Sequence, residues 1–404
     1  MQAHDTTEGQ AGLPRYFARV WPLALRTTRG SIDVTLPDGR RFHHAGGAPG
    51  PVAEIVVHDP DFFARFVREG DLGWAEGYVD GMWDSPDLQA LYDWVNLEAD
   101  SVIQQMPGMR VVRAYEKLRF WLMRNTRGGA KRNIAAHYDL GNAFYGLWLD
   151  PSMTYSSAKF DGDGQRDLEA AQRAKYASIV DRMGVTEGDH VLEIGCGWGG
   201  FAEYAAAERG LRVTGLTLSR EQLAYARDRM DRAGLSDRVE LKLQDYRDER
   251  GAYDGIASIE MFEAVGRRYW PAYFDAVRER LRPGRAASLQ IITVPDARWP
   301  IYSKGVDFIQ RHIFPGGYLP APHKLTEEIA RARLEEGDSL SLAKDYSLTL
   351  RRWHETFAAR WSEVAALGFD ARFRRLWETY LVSCASAFEY GNCDVVQIVV
   401  RRPA

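Results

Sequence analysis

Short apolar runs alternate with longer amphipathic segments along the chain from about residue 165 onward. Residues 201–208 are alanine-rich and are stopped by Gly210, which predicts a helix, and a second helix is predicted from Ser219 to about Ala233. Ser219 and Gln222 have the spacing of a capping box at its start. The runs that predict strands are residues 190–194, 212–217, 239–243, 255–259 and 285–294. Strands alternating with helices in this way predict an α/β fold with a doubly wound parallel sheet.

Residues 1 to about 125 follow a different pattern and predict a separate, smaller α+β domain. Alternation over residues 31–37 predicts a strand, and Asp38-Gly39 predicts a hairpin turn into residues 40–42. The remaining predicted elements of this block are a strand at 51–58, helices at 61–69 and 87–97, and a turn at 70–73. The chain therefore divides into an N-terminal domain at 1–125 and a larger domain at 126–404.

Composition narrows the class of protein. A chain of 404 residues is long for one compact domain, and a hydrophobic fraction of 45% is enough for a sizeable core. A net charge of −4 disfavours a nucleic-acid partner bound through bulk positive charge. Its three cysteines provide neither a disulfide framework nor a pair with zinc-ligand spacing, so we expect a reducing compartment and no metal site.

The chain shows no signal-peptide pattern at residues 1–14 and no run of 18 apolar residues, so we expect a cytoplasmic protein. The segment 106–133, however, carries eight basic residues against one acid, Glu116, with aromatic and aliphatic residues between them. Such a helix suits a membrane surface, because arginines meet anionic headgroups while the apolar face enters the interface. The alternative is an interdomain helix whose apolar face packs on protein. The first reading places the protein peripherally on the inner face of the membrane.

A glycine-rich turn follows the first strand of the larger domain, in Val191-Leu192-Glu193-Ile194-Gly195-Cys196-Gly197-Trp198-Gly199-Gly200. Glycines at the carboxyl end of a strand let the backbone approach a ligand closely. The spacing Gly-x-Gly-x-Gly after Glu193 differs from the dinucleotide fingerprint. The second strand also ends in Leu216-Thr217-Leu218, where a nicotinamide enzyme would place an acid. S-adenosylmethionine is therefore favoured over NAD as the ligand. The alternative is a tight turn that binds no ligand.

Several further motifs follow one another between about residues 70 and 400: Gly77-Tyr78-Val79-Asp80-Gly81, residues 137–142 (His-Tyr-Asp-Leu-Gly-Asn), residues 149–156 (Leu-Asp-Pro-Ser-Met-Thr-Tyr-Ser), residues 215–219, Met261-Phe262-Glu263, residues 314–317 and the segment around Cys384. Together these motifs resemble the cyclopropane-fatty-acid synthase family. The resemblance implies a Rossmann-like class I methyltransferase sheet and methylation of double bonds in unsaturated phospholipid acyl chains.

The resemblance also implies residues that bind the cofactor. Tyr155 and Ser156 are expected against its methionine part, with Gly195 and Gly197 under it. Thr217 and Gln222 are expected near the ribose, although a strand end and a helix cap would explain them too. Gln244 and Asp245 fall where the family contacts adenine.

For catalysis, the resemblance implies that Glu263 stabilises a carbocation on the acyl chain and that Tyr346 helps to hold a bicarbonate ion that acts as base. The alternative is that Tyr346 is a half-buried tyrosine of the core with a structural role only. The chain departs from the family at two positions: Ser157 stands where a cysteine is common, and Leu289-Gln290-Ile291-Ile292 replaces a stretch with the bicarbonate histidine. Ser157 can still offer a hydroxyl, but the bicarbonate site is in doubt.

A weakened bicarbonate site favours loss of a neighbouring proton over ring closure. We therefore predict a C-methyltransferase that gives methyl-branched unsaturated acyl chains, such as furan fatty acid precursors. Alternatives are a cyclopropane synthase, a nicotinamide-dependent oxidoreductase and a lipid-binding protein without activity. The oligomeric state, including a homo-oligomer, is left open by the sequence.

Overall fold

The computed structural model of the protein describes residues 12–98 and 140–404. The basic segment 106–133, the domain boundary at 125–126 and the first three residues of the 137–142 motif lie outside the described residues, and what was expected of them stays a prediction. Within the described ranges, no helix is long and apolar enough to cross a membrane.

The N-terminal layer consists of helices around a small mixed sheet. Its elements are α1 Phe17–Ala24, β1 Arg29–Thr35, β2 Arg41–Ala45, β3 Ala48–Val57, α2 Phe62–Glu69, α3 Asp71–Val79, β4 Trp83–Asp84 and α4 Leu88–Leu97. The strands lie in the order β2-β1-β3-β4, with β1 antiparallel to β2 and parallel to β3. One face of the sheet is apolar and packs on phenylalanine and tryptophan side chains of α1, α2 and α4, which form a core of their own.

The sequence predicts β1, β2, β3 and the first hairpin of this layer correctly but not β4, and the turn predicted at 70–73 is wrong beyond Gly70. Gly70 has a φ of 61°, and α3 begins at the next residue. Gly73 is needed inside α3 for a different reason: a Cβ there would lie 2.7 Å from the Arg65 carbonyl oxygen. The absence of a side chain at Gly73 therefore allows α2 and α3 to pack closely; this glycine does not make a turn.

The larger part of the chain is built on a seven-stranded sheet. Its helices are α5 Asn142–Tyr145, α6 Leu168–Met183, α7 Gly200–Arg209, α8 Arg220–Arg232, α9 Trp270–Arg280, α10 Trp299–Tyr302, α11 Phe308–His312, α12 Pro322–Arg331, α13 Ala343–Ala359, α14 Trp361–Ala366 and α15 Ala371–Glu389. Its strands are β5 His190–Ile194, β6 Arg212–Thr217, β7 Val239–Leu243, β8 Tyr253–Ile259, β9 Leu281–Thr293, β10 Glu335–Ser341 and β11 Asp394–Arg401.

The strand order is β10-β11-β9-β8-β5-β6-β7. The five strands from β9 to β7 are parallel, while β11 and β10 are added antiparallel at one edge. The order reverses between β5 and β8, and the crevice outside the carboxyl ends of strands at such a switch point is where ligands bind in open α/β sheets. The predicted α/β class is confirmed, and the glycine turn after β5 lies in this crevice.

Helix α15 joins the two parts of the chain. Its Val382 is fully buried in the core of the N-terminal layer, and its Ser386 hydroxyl donates a hydrogen bond of 2.8 Å to the Tyr92 carbonyl on α4. Arg375 reaches back to the Trp83 carbonyl at 2.7 Å and stacks over the Tyr78 ring. The N-terminal layer is therefore packed against the same helix that closes one side of the crevice.

Candidate active site

A cavity of about 770 Å³ begins at the carboxyl ends of β5, β6 and β8. It passes between the sheet and the helices α13 and α15 and reaches aromatic side chains of the N-terminal layer, including Phe17, Trp21 and Phe63. A volume within the range of about 300–1,000 Å³ is typical of small-molecule sites. One end is polar and glycine-lined, whereas the far end is apolar.

The glycine turn forms the floor of the polar end. Gly195, Gly197 and Gly199 all have positive φ angles, of 89°, 50° and 85°, which side chains rarely adopt. A Cβ on Gly195 would lie 2.8 Å from Cγ of Met261, so a side chain there would fill the space above the turn. Both Gly195 and Gly197 line the cavity, as expected of residues under a bound cofactor.

The end of β6 and the start of α8 supply the next wall. The hydroxyl of Thr217 donates to the Gln222 side-chain carbonyl at 3.0 Å and accepts from the Ser219 amide at 3.1 Å. Ser219 caps α8, so the expected helix start is correct. Thr217 and Gln222 are buried and line the cavity, and they also serve as strand end and helix start.

Beyond this wall lie the two residues expected at the adenine. The Gln244 side-chain amide donates to Glu249 at 3.2 Å, and the Asp245 carboxylate accepts from Arg247 Nε at 2.8 Å. Both residues line the same cavity. The Asp245 carboxylate already has a cationic partner, which fixes its position at this end of the cavity.

Tyr155 and Ser156, expected against the methionine part, line the same cavity. The Tyr155 hydroxyl donates to that of Tyr380 at 2.8 Å. The Ser156 hydroxyl accepts a hydrogen bond of 2.7 Å from the ammonium of Lys175. The structure thus gathers all eight expected cofactor residues around one cavity. It also adds Lys175, which sequence reasoning missed because it is a single lysine in an alanine-rich helix.

Two carboxylates face the centre of the cavity. Glu263 follows β8 on a short 3₁₀ turn; one of its oxygens accepts from the Ile292 amide, while the other has no hydrogen-bond partner in the described part of the chain. Burial and the neighbouring Glu260 raise the pKa of Glu263 to about 8. The second carboxylate, Glu260, was not expected from the sequence.

Glu260 accepts hydrogen bonds from three directions. The Ser157 amide donates to it at 2.8 Å, the Gln290 side-chain amide at 2.7 Å and the Tyr346 hydroxyl at 2.6 Å. Its φ of 51° turns the backbone at the end of β8 and carries the side chain onto these donors. Burial raises the pKa of Glu260, and the three hydrogen bonds counteract part of that rise by favouring the charged form.

These donors are the groups expected to hold bicarbonate, so the residues present do not fit that ion: a side chain of the protein already lies on them. The Ser157 hydroxyl has another partner as well. It donates to the Ala158 carbonyl at 2.9 Å, and Ser157 is not among the residues that line the cavity. Ser157 therefore meets the site through its backbone amide rather than through the hydroxyl that the sequence suggested.

Aromatic faces surround the carboxylates. The Tyr346 ring lies 4.5 Å from that of Phe388 and packs edge-on against Trp353. Tyr155 adds its ring against Trp353, with centroids 5.4 Å apart. Aromatic faces and carboxylates both stabilise positive charge, so the arrangement suits a reaction that passes through a cation.

Comparison with known proteins agrees with this arrangement. Residues 126–398 match the model of the family described as mycolic acid cyclopropane synthetase. A tuberculostearic acid methyltransferase of Mycobacterium tuberculosis is 40% identical over 87% of this chain and 84% of its own length. A cyclopropane-fatty-acyl-phospholipid synthase of Escherichia coli strain K12 is 36% identical over 92% of this chain and 96% of its own.

Solved structures give the same result. A cyclopropane synthase from Mycobacterium tuberculosis aligns with a TM-score of 0.63 and 30% identity, covering 67% of this chain and 97% of that one. A mycolic acid cyclopropane synthase crystallised with SAH and CTAB aligns with the same TM-score and 29% identity, over 67% of this chain and 98% of that one. The chain therefore belongs to the mycolic acid cyclopropane synthetase family and is an S-adenosylmethionine-dependent methyltransferase.

Proposed function

We propose that this enzyme methylates the double bond of unsaturated fatty acyl chains in membrane phospholipids and yields methyl-branched unsaturated products. The single observation that carries the proposal is the position of Glu260, whose carboxylate lies on the amide of Ser157, the side chain of Gln290 and the hydroxyl of Tyr346. A base is thereby built into the chain beside the place of methyl transfer.

The proton balance explains why a base is needed. S-adenosylmethionine supplies the methyl group when bound: a carbon–sulfur bond breaks and a carbon–carbon bond forms at one alkene carbon. The other alkene carbon is left with a positive charge, which Glu263 and the surrounding rings stabilise. Glu260 then accepts one proton. Loss of that proton from a neighbouring carbon restores a double bond, whereas loss from the new methyl group closes a cyclopropane ring.

Because three hydrogen bonds hold the Glu260 carboxylate in place, proton loss from a neighbouring carbon is favoured over ring closure. A free anion can settle beside the new methyl group, but a side chain held by three hydrogen bonds stays where the backbone places it. The tuberculostearic acid methyltransferase is also more similar to this chain than the Escherichia coli cyclopropane synthase, at 40% against 36% identity. The second candidate is ring closure, which is favoured by the names of the structural neighbours.

The apolar end of the cavity supports a long acyl substrate. Its wall includes Phe17, Trp21 and Phe63, which belong to the N-terminal layer, whereas the glycine turn belongs to the larger sheet. We propose that residues 1–125 form a lipid-associated domain that helps to hold the acyl chain, next to a methyltransferase domain at 126–404. Contact with the cytoplasmic face of the membrane through segment 106–133 is part of the same proposal.

The test is production of the chain in a bacterium rich in cis-monounsaturated phospholipids, followed by mass spectrometry of the fatty acids. The expected product is heavier by one CH2 and keeps an olefinic position. The same mass gain with a saturated ring would support the cyclopropane alternative instead. Unchanged acyl chains, from a protein that binds S-adenosylmethionine, would overturn acyl methylation.

A further inference from the structure

Lys175 lies in the middle of α6 and points into the polar end of the cavity. Its side chain is completely buried, and its ammonium donates to the Ser156 hydroxyl at 2.7 Å. The ammonium also lies 4.3 Å from the centre of the Tyr176 ring, and Lys175 belongs to the cavity wall. A lysine in such a place is unusual, because lysine is almost never fully buried unless it is paired.

Within residues 12–98 and 140–404, the Lys175 ammonium forms no ion pair that would compensate its burial, because no carboxylate oxygen lies within 4.0 Å of it. Glu260, Asp150 and Glu193 attract it only from further away, so burial dominates and lowers the pKa of Lys175 to about 8. A buried charge without a partner is costly. A ligand that brought a carboxylate to this ammonium would remove that cost.

Glu193 is a buried carboxylate in the same cavity wall as the Lys175 ammonium. It ends the strand before the glycine turn, is 3% exposed and lines the cavity. One of its carboxylate oxygens is buried without a hydrogen-bond partner among the described residues. Lys175 and Glu193 are thus a buried cation and a buried acid in the cavity wall, and neither forms an ion pair within the described residues. An α-amino acid group carries the complementary anion and cation.

We propose that Lys175 binds the carboxylate of the methionine part of S-adenosylmethionine. The α-ammonium group of the same methionine part then faces Glu193. The charges near the other parts of the cofactor agree with this orientation. Asp245, at the opposite end, is neutralised by Arg247, which suits an uncharged base. Glu260 and Glu263 face the centre of the cavity, where the methyl group must meet the alkene. The inference rests on the cofactor and is independent of the product proposed above.

The test is a cycle of two changes, one in the protein and one in the ligand. Isothermal titration calorimetry measures binding of S-adenosylmethionine and of decarboxylated S-adenosylmethionine to the full chain and to Lys175→Met. We expect Lys175→Met to weaken S-adenosylmethionine at least tenfold and the decarboxylated ligand less than threefold. The second ligand keeps the sulfonium and the ammonium, so it isolates the carboxylate.

A purely structural lysine predicts a different pattern. Equal losses for the two ligands, or no loss for S-adenosylmethionine, would overturn the inference. Lys159→Met is the matched control, because Lys159 pairs with Asp161 and is not part of the cavity wall; it should change neither affinity. If Lys175→Met does not fold, Ser156→Ala replaces it, since it removes the hydroxyl that positions the ammonium. A loss of about threefold confined to S-adenosylmethionine is then expected, and an equal loss for both ligands contradicts the role.

These outcomes are separate from those of the acyl-chain experiment. Binding of the cofactor requires no lipid and no turnover. A protein that showed the carboxylate-selective loss but left all acyl chains unchanged would keep the assignment of Lys175 and refute the proposed substrate. A normal methylated product with equal losses in the binding cycle would do the reverse.

Discussion

Glu193, Glu260 and Glu263 lie in the polar half of the cavity together with the Lys175 ammonium. Glu193 and Glu263 both have pKa values raised to about 8, with burial as the main cause. Each carries an oxygen without a hydrogen-bond partner in the described chain. At the scale of single residues, the site therefore suits a ligand with positive charge, which S-adenosylmethionine provides.

The raised pKa of Glu263 makes stability depend on pH. A carboxyl group that is easier to protonate in the folded protein stabilises it fully below the unfolded pKa of about 4.5, and this contribution is lost as pH rises through about 8. We expect the ligand-free protein to lose thermal stability between these values. Glu263→Gln, which mimics the protonated group, should flatten the Glu263 part of that slope in thermal unfolding followed at several pH values. An identical slope in the variant would contradict the assignment.

Tyr346 stabilises the charged form of Glu260 through its hydrogen bond of 2.6 Å. Tyr346→Phe removes that bond, so the pKa of Glu260 should rise and the rising limb of the kcat–pH profile should move to higher pH. We expect kcat at neutral pH to fall by about tenfold, equivalent to about 1.4 kcal/mol. Tyr204→Phe, on α7 and away from the cavity wall, is the control. A drop in kcat without a shift of the profile would argue for packing alone.

Single residues mark the limit of what the sequence revealed. A group of seven residues was expected from motifs, and all of them line the cavity: Gly195, Gly197, Tyr155, Thr217, Gln244, Glu263 and Tyr346. Glu260 was missed because one glutamate after an apolar strand carries no motif. A signal was present: Ser157 and Gln290 both depart from the family pattern, and both donate to the same new carboxylate. Which donors meet is a property of the fold and cannot be read from spacing.

At the scale of elements, the glycine turn after β5 gives the clearest test. Gly195→Ala would place a Cβ 2.8 Å from Met261 Cγ at a φ of 89°, in the space above the turn. We expect affinity for S-adenosylmethionine to fall at least tenfold in calorimetric titration. Gly188→Ala is the matched control: its φ of 83° gives similar backbone strain, but a Cβ there meets nothing within 4 Å. Similar losses of affinity in both variants would mean that strain, not blocking, is the cause.

Apolar runs predicted β5, β6 and β8 because their side chains are buried on both faces, and β7 was predicted although two of its five residues are exposed. The last two strands were not predicted. β10 is an edge strand whose residues are mostly exposed, so its sequence Glu-Glu-Gly-Asp-Ser-Leu-Ser lacks an apolar face. The closing helix α15 was also missed, since its many buried positions include polar ones such as Glu378 and Thr379.

At the scale of the whole molecule, a cluster of ion pairs around Glu76 connects the N-terminal layer to helix α11 of the larger part. Glu76 on α3 pairs with Arg65 at 2.5 Å, with His312 of α11 at 2.8 Å and with Arg311 at 3.2 Å. The hydrogen bonds from His312 and Arg65 outweigh burial and lower the pKa of Glu76 to about 2. Its contribution to stability is present above the unfolded pKa of about 4.5 and is lost as pH falls towards 2.

Glu76→Gln should therefore destabilise the protein by about 2 kcal/mol at neutral pH, because it removes the charge of a buried carboxylate that accepts hydrogen bonds from Arg65 and His312. Urea unfolding followed by tryptophan fluorescence measures the change. The control Glu363→Gln removes a carboxylate from an exposed pair with Arg360 and should leave the free energy of unfolding nearly unchanged. Equal effects of the two variants would show that the cluster does not join the two parts.

The most direct test of the account concerns Glu260 as the built-in base. Glu260→Ala leaves the donors of Ser157, Gln290 and Tyr346 around an empty space of carboxylate size. We expect turnover of cis-unsaturated phospholipid vesicles to fall by about 100-fold, S-adenosylmethionine binding to survive, and added bicarbonate or formate to restore part of the activity. Sodium chloride at equal ionic strength should restore none. Turnover close to that of the unmodified enzyme, without any added acid anion, would contradict the central claim.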